Sequence, residues 1–516
     1  MDLSRYITSK DSSKSTNRER LNIVFASSEV APYSKSGGLG DVAASLPQAL
    51  ASRGHNVMVI TPLYGHLDPE KMRLSRRLRP LEVPRKSKQQ AKVEATLWEA
   101  RMGQGVQVVF VEADEYFGRE GLYGYEDTTF EDNAARFSFF SRAAVEFART
   151  YTLPVDILHC NDWHTSLAPI YARHYYEDEF ADISIVLTIH NLAYQGKFDA
   201  SEDFEDTGLP QSYDDKSELI DGDGNLNFLK GGLLHADRIT TVSPGYAEEI
   251  QTAEGGFGLH ELLEKRSADL SGILNGADYT VWSPDIDRHI SVQYDVDSLN
   301  GKRQNKAELQ HSHGLPVRPT LPLLGVISRL TEQKGIDVLV PTVRSLLSDL
   351  EDERDGFQLL VLGEGPAKYR DALTKLQEEF PRRVAFHAGY NEPLAHRIQA
   401  GSDVLVVPSR FEPCGLTQIY AMRYGTVPVV HATGGLADTV SDLREDPENG
   451  TGFVCKELTE DSLGGAIERA SAAYRNYRKW RPLMVRAMER DFSWHESASD
   501  YESLFVSLQQ REAAAE

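Results

Sequence analysis

The chain has 516 residues, and 55 Lys and Arg against 78 Asp and Glu give a formal net charge of −23. That length accommodates about two to four domains with large cores, and the acidic balance argues against nucleic acid as the main partner, because a phosphate backbone demands basic surface. Hydrophobic residues at 41% and charged residues at 26% are the proportions of a globular protein, and no run of about 18 apolar residues offers a membrane span.

Met1 to Arg20 is polar and rich in Ser and Lys, without the apolar stretch of a secretory signal, and reads as a mobile tail. Beyond it, short β-rich runs alternate with helical stretches. Asn22–Ser27 reads as a buried strand, followed by a glycine-rich loop and a helix over Asp41–Arg53. His55–Thr61 and Val106–Ala113 are further strands, and the basic segment Lys71–Gln90 between them reads as a solvated loop or exposed helix. Asp156–Cys160, Ile183–His190 and Arg238–Val242 repeat the apolar, β-branched pattern. Continuous apolar runs, rather than strict alternation, indicate strands covered on both faces, as in parallel sheets.

The series restarts with Leu321–Ser328, Phe357–Gly363, Arg383–Gly389, Asp403–Pro408 and Val427–Ala432. Two such series predict an α/β protein of two doubly wound domains, with a seam between Ser271–Asp278 and Pro322. Ser36-Gly37-Gly38-Leu39-Gly40-Asp41 is echoed by Thr433-Gly434-Gly435-Leu436-Ala437-Asp438. Each half can present a glycine turn to a shared cleft, or a common helix-entry turn has been used twice.

Four clusters carry possible chemistry. In Lys35-Ser36-Gly37-Gly38 the paired glycines allow close backbone approach, and the helix that follows offers free N–H groups to an anion. The spacing is neither a P-loop nor a Rossmann fingerprint, and by itself is equally consistent with a plain helix entry. Ser328 to Gly335 sits where open α/β sheets bind ligands. There Arg329 supplies a planar fork and Lys334 a compact ammonium, which together suit a diphosphate, although charged loops at strand ends are common. In Pro408 to Thr417, Glu412 can accept hydrogen bonds from a polyhydroxylated ligand, and the N–H groups of Gly415, Leu416 and Thr417 can face phosphate. Cys414 lacks a neighbouring base and reads as a small packed residue. The strand ends His159 to His164 and Thr188 to Gly196 hold Asp162, Trp163, His190 and Tyr194, residues suited to sugar recognition. Their histidine spacing matches no usual zinc signature. Cys160, Cys414 and Cys455 show neither CxxC spacing nor enough cysteines for a disulfide framework, which fits a reducing cytoplasm.

In this order the motifs resemble the bacterial glycogen synthase and plant starch synthase family of retaining glucosyltransferases. The matching stretches are KSGGLGDV (35–42), NDWH (161–164), TIHNLAYQG (188–196), FLKGGLLHADRITTVSP (228–244), ILNGADYTVWSP (273–284), ISRLTEQKG (327–335), PSRFEPCGLTQIYAMRYGTVPVV (408–430), TGGLADTV (433–440) and DFSWH (491–495). The resemblance spans about residues 21–505. It implies the GT-B architecture, two Rossmann-like domains facing across a cleft. The expected division is a tail 1–20, an acceptor-side domain 21–276, a nucleotide-sugar domain 277–490 and a C-terminal helix 491–516 crossing back.

The same resemblance implies transfer of glucose from ADP-glucose to the non-reducing end of an α-1,4-glucan in the cytoplasm, with retention and without a metal or further cofactor. It assigns Lys35, Arg329 and Lys334 to the donor phosphates, with Gly37 and Gly38 beside them, and Glu412 to the glucosyl unit. The backbone of Cys414, Gly415, Leu416 and Thr417 belongs near sugar and phosphate. His190 belongs on the opposite wall, with Asp162, Asn275 and Tyr123 as further contacts. Many GT-B enzymes place a second glutamate eight residues after the first to hold ribose, but that position is Tyr420 here. A UDP-glucose-dependent relative and a catalytically silent glucan-binding homologue are the competing readings.

Overall fold

Two mainly parallel sheets account for the two series of apolar runs. The computed structural model describes residues 20–515 apart from 86–91, 104, 126–127, 216–217, 351 and 353–354, so the tail before Arg20 lies outside the described residues. The first sheet contains β1 (Asn22–Ala26), β2 (Asn56–Pro62), β3 (Lys92–Met102), β4 (Val106–Glu112), β5 (Ile157–Asn161), β6 (Ser184–Ile189), β7 (Arg238–Thr241) and β8 (Leu270–Gly272). Their order is β8-β7-β6-β5-β1-β2-β4-β3, and every pairing except β4 with β3 is parallel. The second sheet contains β9 (Leu323–Arg329), β10 (Gln358–Glu364), β11 (Val384–Ala388), β12 (Val404–Val407), β13 (Val427–His431) and β14 (Phe453–Cys455). It is parallel throughout, in the order β11-β10-β9-β12-β13-β14.

The basic segment departs from expectation. Ser75–Arg76 and Leu81–Pro84 are short strands pairing antiparallel with β3, which continues the first sheet past β4; Lys86–Gln90 lie outside the described residues. Leu81 and Val83 are buried while Glu82 is exposed, the alternation of a strand covered on one face. The helix after the first glycine loop, α1 (Gly38–Ser52), also begins three residues before Asp41, so Gly38 is helical and Gly37 precedes its first turn.

In both sheets the strand order reverses beside the first strand. The chain leaves β1 for β2 on one side and returns to β5 on the other; it leaves β9 for β10 and returns to β12. Loops at the carboxyl ends of strands flanking such a reversal diverge and open a crevice, the place where doubly wound sheets hold ligands. The loops carrying Lys35 and Asp162 leave β1 and β5, and those carrying Lys334 and Glu412 leave β9 and β12.

The halves are joined twice, at adjacent points. Ala277 pairs with Ser493, and its N–H donates to the Phe492 carbonyl at 2.7 Å. Gly276 has no room for a side chain, since a Cβ there would lie 2.5 Å from Trp494 Cα. The last helix then returns to the first domain, where Trp494, Ala498, Tyr501, Phe505 and Leu508 pack with Ile23, Phe25, Leu46 and Leu50. Arg53, on the α1 side, donates to Glu502 Oε2 from Nε at 2.7 Å and Nη2 at 2.5 Å, with both side chains over nine-tenths buried. Glu502→Ala should therefore leave a buried guanidinium without its carboxylate and lower stability by about 3 kcal/mol, read as an earlier urea midpoint. A wild-type midpoint would mean that this ion pair adds nothing to the hold on the helix.

Candidate active site

The loop after β1 is shaped by a buried carboxylate. Glu29 accepts from the Ser36 N–H (2.6 Å), the Ser36 hydroxyl (2.6 Å), the Gly37 N–H (3.2 Å) and the Tyr123 hydroxyl (2.7 Å). Tyr123 also bonds Ser28 Oγ at 2.8 Å, so it lies behind the loop and braces it. Beyond this brace the backbone is open: a Cβ on Gly37 or Gly38 would meet nothing within 4 Å. Lys35 pairs with Asp41 at 2.8 Å. Burial opposes the charge on Lys35, but Asp41 and, from the other domain, Tyr390 and Glu392 outweigh it and raise its pKa.

The next loops supply the wall of the first domain. Asp162 is buried with φ +54, a conformation that non-glycine residues rarely adopt, and its Oδ1 accepts the His190 N–H at 2.7 Å. Burial pushes the Asp162 carboxyl up to about 7, against hydrogen bonds from the His190 and Asn191 N–H groups. Burial also brings His190 down to about 3, so its imidazole is neutral near pH 7. His190 Nε2 lies 2.9 Å from the Asn161 amide oxygen, while the Asn161 NH2 donates to the Ala26 carbonyl. This network assigns the proton to Nε2 and leaves Nδ1 as an acceptor. Asn275 is buried nearby in sequence to the domain crossing, and its side-chain oxygen has no hydrogen-bond partner among the described residues.

Opposite stands the cationic wall. Lys334 Nζ donates to Glu412 Oε2 at 2.5 Å, and Ser409 Oγ donates to the same oxygen at 2.9 Å. Arg329 is exposed at the end of β9, with Nη2 3.5 Å from Gln333 Oε1. Gly335, at φ +67, lets the Lys334 loop touch the Glu412 loop, where a Cβ would lie 1.9 Å from the Pro408 carbonyl. Arg410 clamps the two loops, bonding the Glu332 carbonyl at 2.7 Å and both Asp337 oxygens at 2.8 and 2.6 Å. Cys414 is buried and burial pushes its thiol up to about 12, so it is a packed thiol rather than a nucleophile. Gly415 (φ +71) and Leu416 turn the chain into the helix Thr417–Arg423, and Gln418 ties the Cys414 and Gly415 carbonyls from below at 3.1 and 2.5 Å. Tyr420 is stacked on Trp282 with ring centroids 4.5 Å apart.

The two glycine motifs play different parts. Gly37 and Gly38 face open space, whereas Gly434 and Gly435 lie under the Glu412 loop, where Cβ atoms would approach the Glu412 and Cys414 carbonyls to 2.4 and 2.1 Å. Glu249 of the first domain accepts from the Thr433 hydroxyl (2.7 Å) and the Gly434 N–H (2.6 Å), and Ser243 Oγ donates to the Pro413 carbonyl at 2.6 Å. Glu29, Glu249, Ser409 and Arg410 escape sequence reasoning, although the acidic residue in the run SSEVAP directly after a buried strand was a usable signal. Among the described residues no group of three or more His, Cys, Asp and Glu side chains is placed to hold a metal, and no helix is long and apolar enough to cross a membrane.

The chain is similar to known proteins along nearly its whole length. Residues 22–265 match the family model of the starch synthase catalytic domain, and residues 310–482 that of the group 1 glycosyl transferases. The glycogen synthase of Anaeromyxobacter sp. (strain Fw109-5) is 46% identical, over 95% of this chain and 99% of its own length. Glycogen synthase 2 of Geobacter sulfurreducens is 42% identical, over 94% and 98%. The catalytic domain of starch synthase IV from Arabidopsis thaliana, solved bound to ADP and acarbose, superposes with a TM-score of 0.85 at 34% identity, covering 95% of this chain and all of that one.

Two outcomes follow from the first-domain wall. Glu29→Gln should weaken the brace on the glycine loop and raise the donor KM severalfold with little loss of stability; an unchanged donor KM would make the brace incidental. For Asp162, the raised pKa means that the folded state binds more protons than the unfolded one between about pH 4 and pH 7. Its contribution to stability is therefore present at low pH and lost as pH rises towards 7. Asp162→Asn should gain on the wild type by at most about 1.4 kcal/mol per pH unit across that window, measured by urea melts. A pH-independent difference would show that the carboxyl is ionised throughout.

Proposed function

The chain belongs to the starch and glycogen synthase family of glycosyltransferases, and from that premise we propose that it transfers glucose from ADP-glucose to the non-reducing end of an α-1,4-glucan, with retention of configuration. The observation that carries the detailed reading is the Lys334–Glu412 pair, 2.5 Å apart where the loops from β9 and β12 meet. A sugar diphosphate has a polyhydroxylated end and an anionic end, and this pair offers a carboxylate to one and an ammonium to the other.

In this reading Lys334 and Arg329 stabilise the charge that grows on the diphosphate as the anomeric C–O bond breaks, with Lys35 approaching from the first domain. The terminal hydroxyl of the glucan attacks on the face that the diphosphate leaves. The new C–O bond forms there, and the hydroxyl proton passes to the departing diphosphate oxygen. Glu412 and the acceptor Nδ1 of His190 hold sugar hydroxyls from opposite walls. Asp162, through the His190 N–H, fixes that wall in place. The open backbone at Gly37 and Gly38 and the turn from Cys414 to Thr417 admit the phosphates closely, and Asn275 offers its amide oxygen to the ligand. Cations take the part that a metal plays in other phosphate-leaving reactions.

The division into 21–276 as the acceptor domain, 277–490 as the donor domain and 491–516 as the returning helix belongs to the same reading. So does a cytoplasmic setting, which the three free thiols suit. Incorporation of glucose into glycogen from ADP-glucose, with UDP-glucose as the competitor, tests the reaction and the donor together. Incorporation should occur, with ADP-glucose preferred; preference for UDP-glucose would overturn the donor assignment, and absence of transfer the whole reading. Lys334→Ala should lower kcat about a hundredfold, the usual cost of removing one preorganised donor from a developing negative charge. Because it leaves the buried Glu412 carboxylate without its ammonium, it should also lower the thermal midpoint, so kcat is compared well below the variant's own midpoint. Wild-type kcat in that variant would remove Lys334 from the leaving-group role.

A further inference from the structure

Between the His190 loop and the Glu412 loop lies a side chain with no part in the transfer step itself. Phe257 stands in the run Thr252-Ala253-Glu254-Gly255-Gly256-Phe257-Gly258-Leu259. Its φ is +46, a left-handed conformation unfavourable for a bulky residue, in a run whose other left-handed position, Gly258 at φ +87, is filled by glycine. Core burial does not compensate: the ring is 38% exposed.

Its backbone and its ring are each tied to a neighbouring loop. The Phe257 carbonyl accepts from Gln195 Nε2 at 3.0 Å, and the same amide nitrogen donates to the Leu192 carbonyl at 3.1 Å. Gln195 Oε1 in turn accepts from Asn227 at 2.7 Å. This buried amide therefore ties Phe257 to the segment that bears His190. On its other side the Phe257 ring meets Phe411 edge to face, with centroids 5.5 Å apart, and Phe411 immediately precedes Glu412. A strained, half-open aromatic ring is thus held between the two loops that grip the sugar in the proposed reaction.

We propose that Phe257 is an acceptor-positioning platform, its exposed face stacking on the C–H face of a glucose unit of the incoming α-1,4-glucan. The inference rests on the glucan-transfer reading and adds to it a residue of the acceptor path. Aromatic faces suit pyranose rings because the apolar C–H face of the sugar covers the ring without displacing any hydrogen bond. A ring standing in the first domain and touching the Glu412 loop is set to deliver the chain end towards the anomeric carbon, while Lys334 and Arg329 handle the opposite end of the donor.

The test compares Phe257→Ala, Phe257→Tyr and Phe257→Gly with the wild type, using maltoheptaose as acceptor and ADP-glucose as donor. The acceptor KM should rise roughly five- to tenfold in the alanine variant, with the donor KM within twofold of wild type, and the tyrosine variant should restore it. Glycine accepts the left-handed backbone, so Phe257→Gly should lose acceptor affinity to the same degree with no fall in thermal midpoint. Maltoheptaose binding by calorimetry without donor repeats the comparison independently of turnover, and so judges the ring even if the wild type transfers no glucose. An unchanged acceptor KM and affinity in the alanine and glycine variants would overturn the proposal. Equal rises in donor and acceptor KM would also overturn it, by showing that the ring serves only the contact between domains.

Discussion

The contact between the Lys334 ammonium and the Glu412 carboxylate is the constraint on which the rest of the site depends. Two opposite charges more than four-fifths buried at 2.5 Å are tolerable only because each neutralises the other and Ser409 adds a further donor. Their loops must therefore lie against one another. Gly335 permits the approach, Arg410 and Asp337 lock it, and Gly434 and Gly435 leave room beneath the Glu412 turn. Every one of these features is a backbone or packing condition for one ion pair. A ligand that offers hydroxyls to the carboxylate and phosphate to the ammonium meets both halves of the pair in the orientation that the folded chain has set.

The facing wall obeys a different logic. Around His190 it is built from uncharged or charge-suppressed groups, a neutral His190, an Asp162 whose carboxyl is held up near 7, and amide groups, while the Lys35–Asp41 pair stands apart on the glycine loop after β1. The Lys334 and Arg329 side is rich in charge and the His190 loop in neutral hydrogen-bonding groups, which suits a donor whose leaving group gathers negative charge while the sugar must be oriented rather than attracted. Contacts from Ser243 and Glu249 to the loops of the second domain join the walls close to the double crossing at Ala277 and Ser493. In the proposed reaction, closure of the cleft would keep water from the anomeric carbon as positive charge develops there.

Much of the architecture was legible in the chain itself. The interior parallel strands announce themselves as unbroken apolar runs, and the structure shifts their ends by a residue or two. β3 was not legible in this way: in KVEATLWEARM the apolar residues alternate, because one face of an antiparallel extension meets solvent. Short β8 and β14, at the sheet edges, carry too few residues for a pattern. At the candidate site, the polar and charged residues at strand ends stood out because they directly follow unbroken apolar runs. Their supports did not. Glu29 depends on Tyr123, 94 positions away, and Glu249 on Gly434, 185 positions away, and no local spacing encodes such partners. The echoed glycine motif shows the converse, since the same letters serve an open loop in one half and a tight packing contact in the other.

Titration calorimetry of ADP against the wild type, Lys334→Ala and Glu412→Gln tests the division of labour most directly. The lysine variant should lose most of its ADP affinity while the glutamine variant retains it, because, of these two side chains, only Lys334 meets the diphosphate. Wild-type ADP affinity in Lys334→Ala, with affinity lost in Glu412→Gln, would contradict that division.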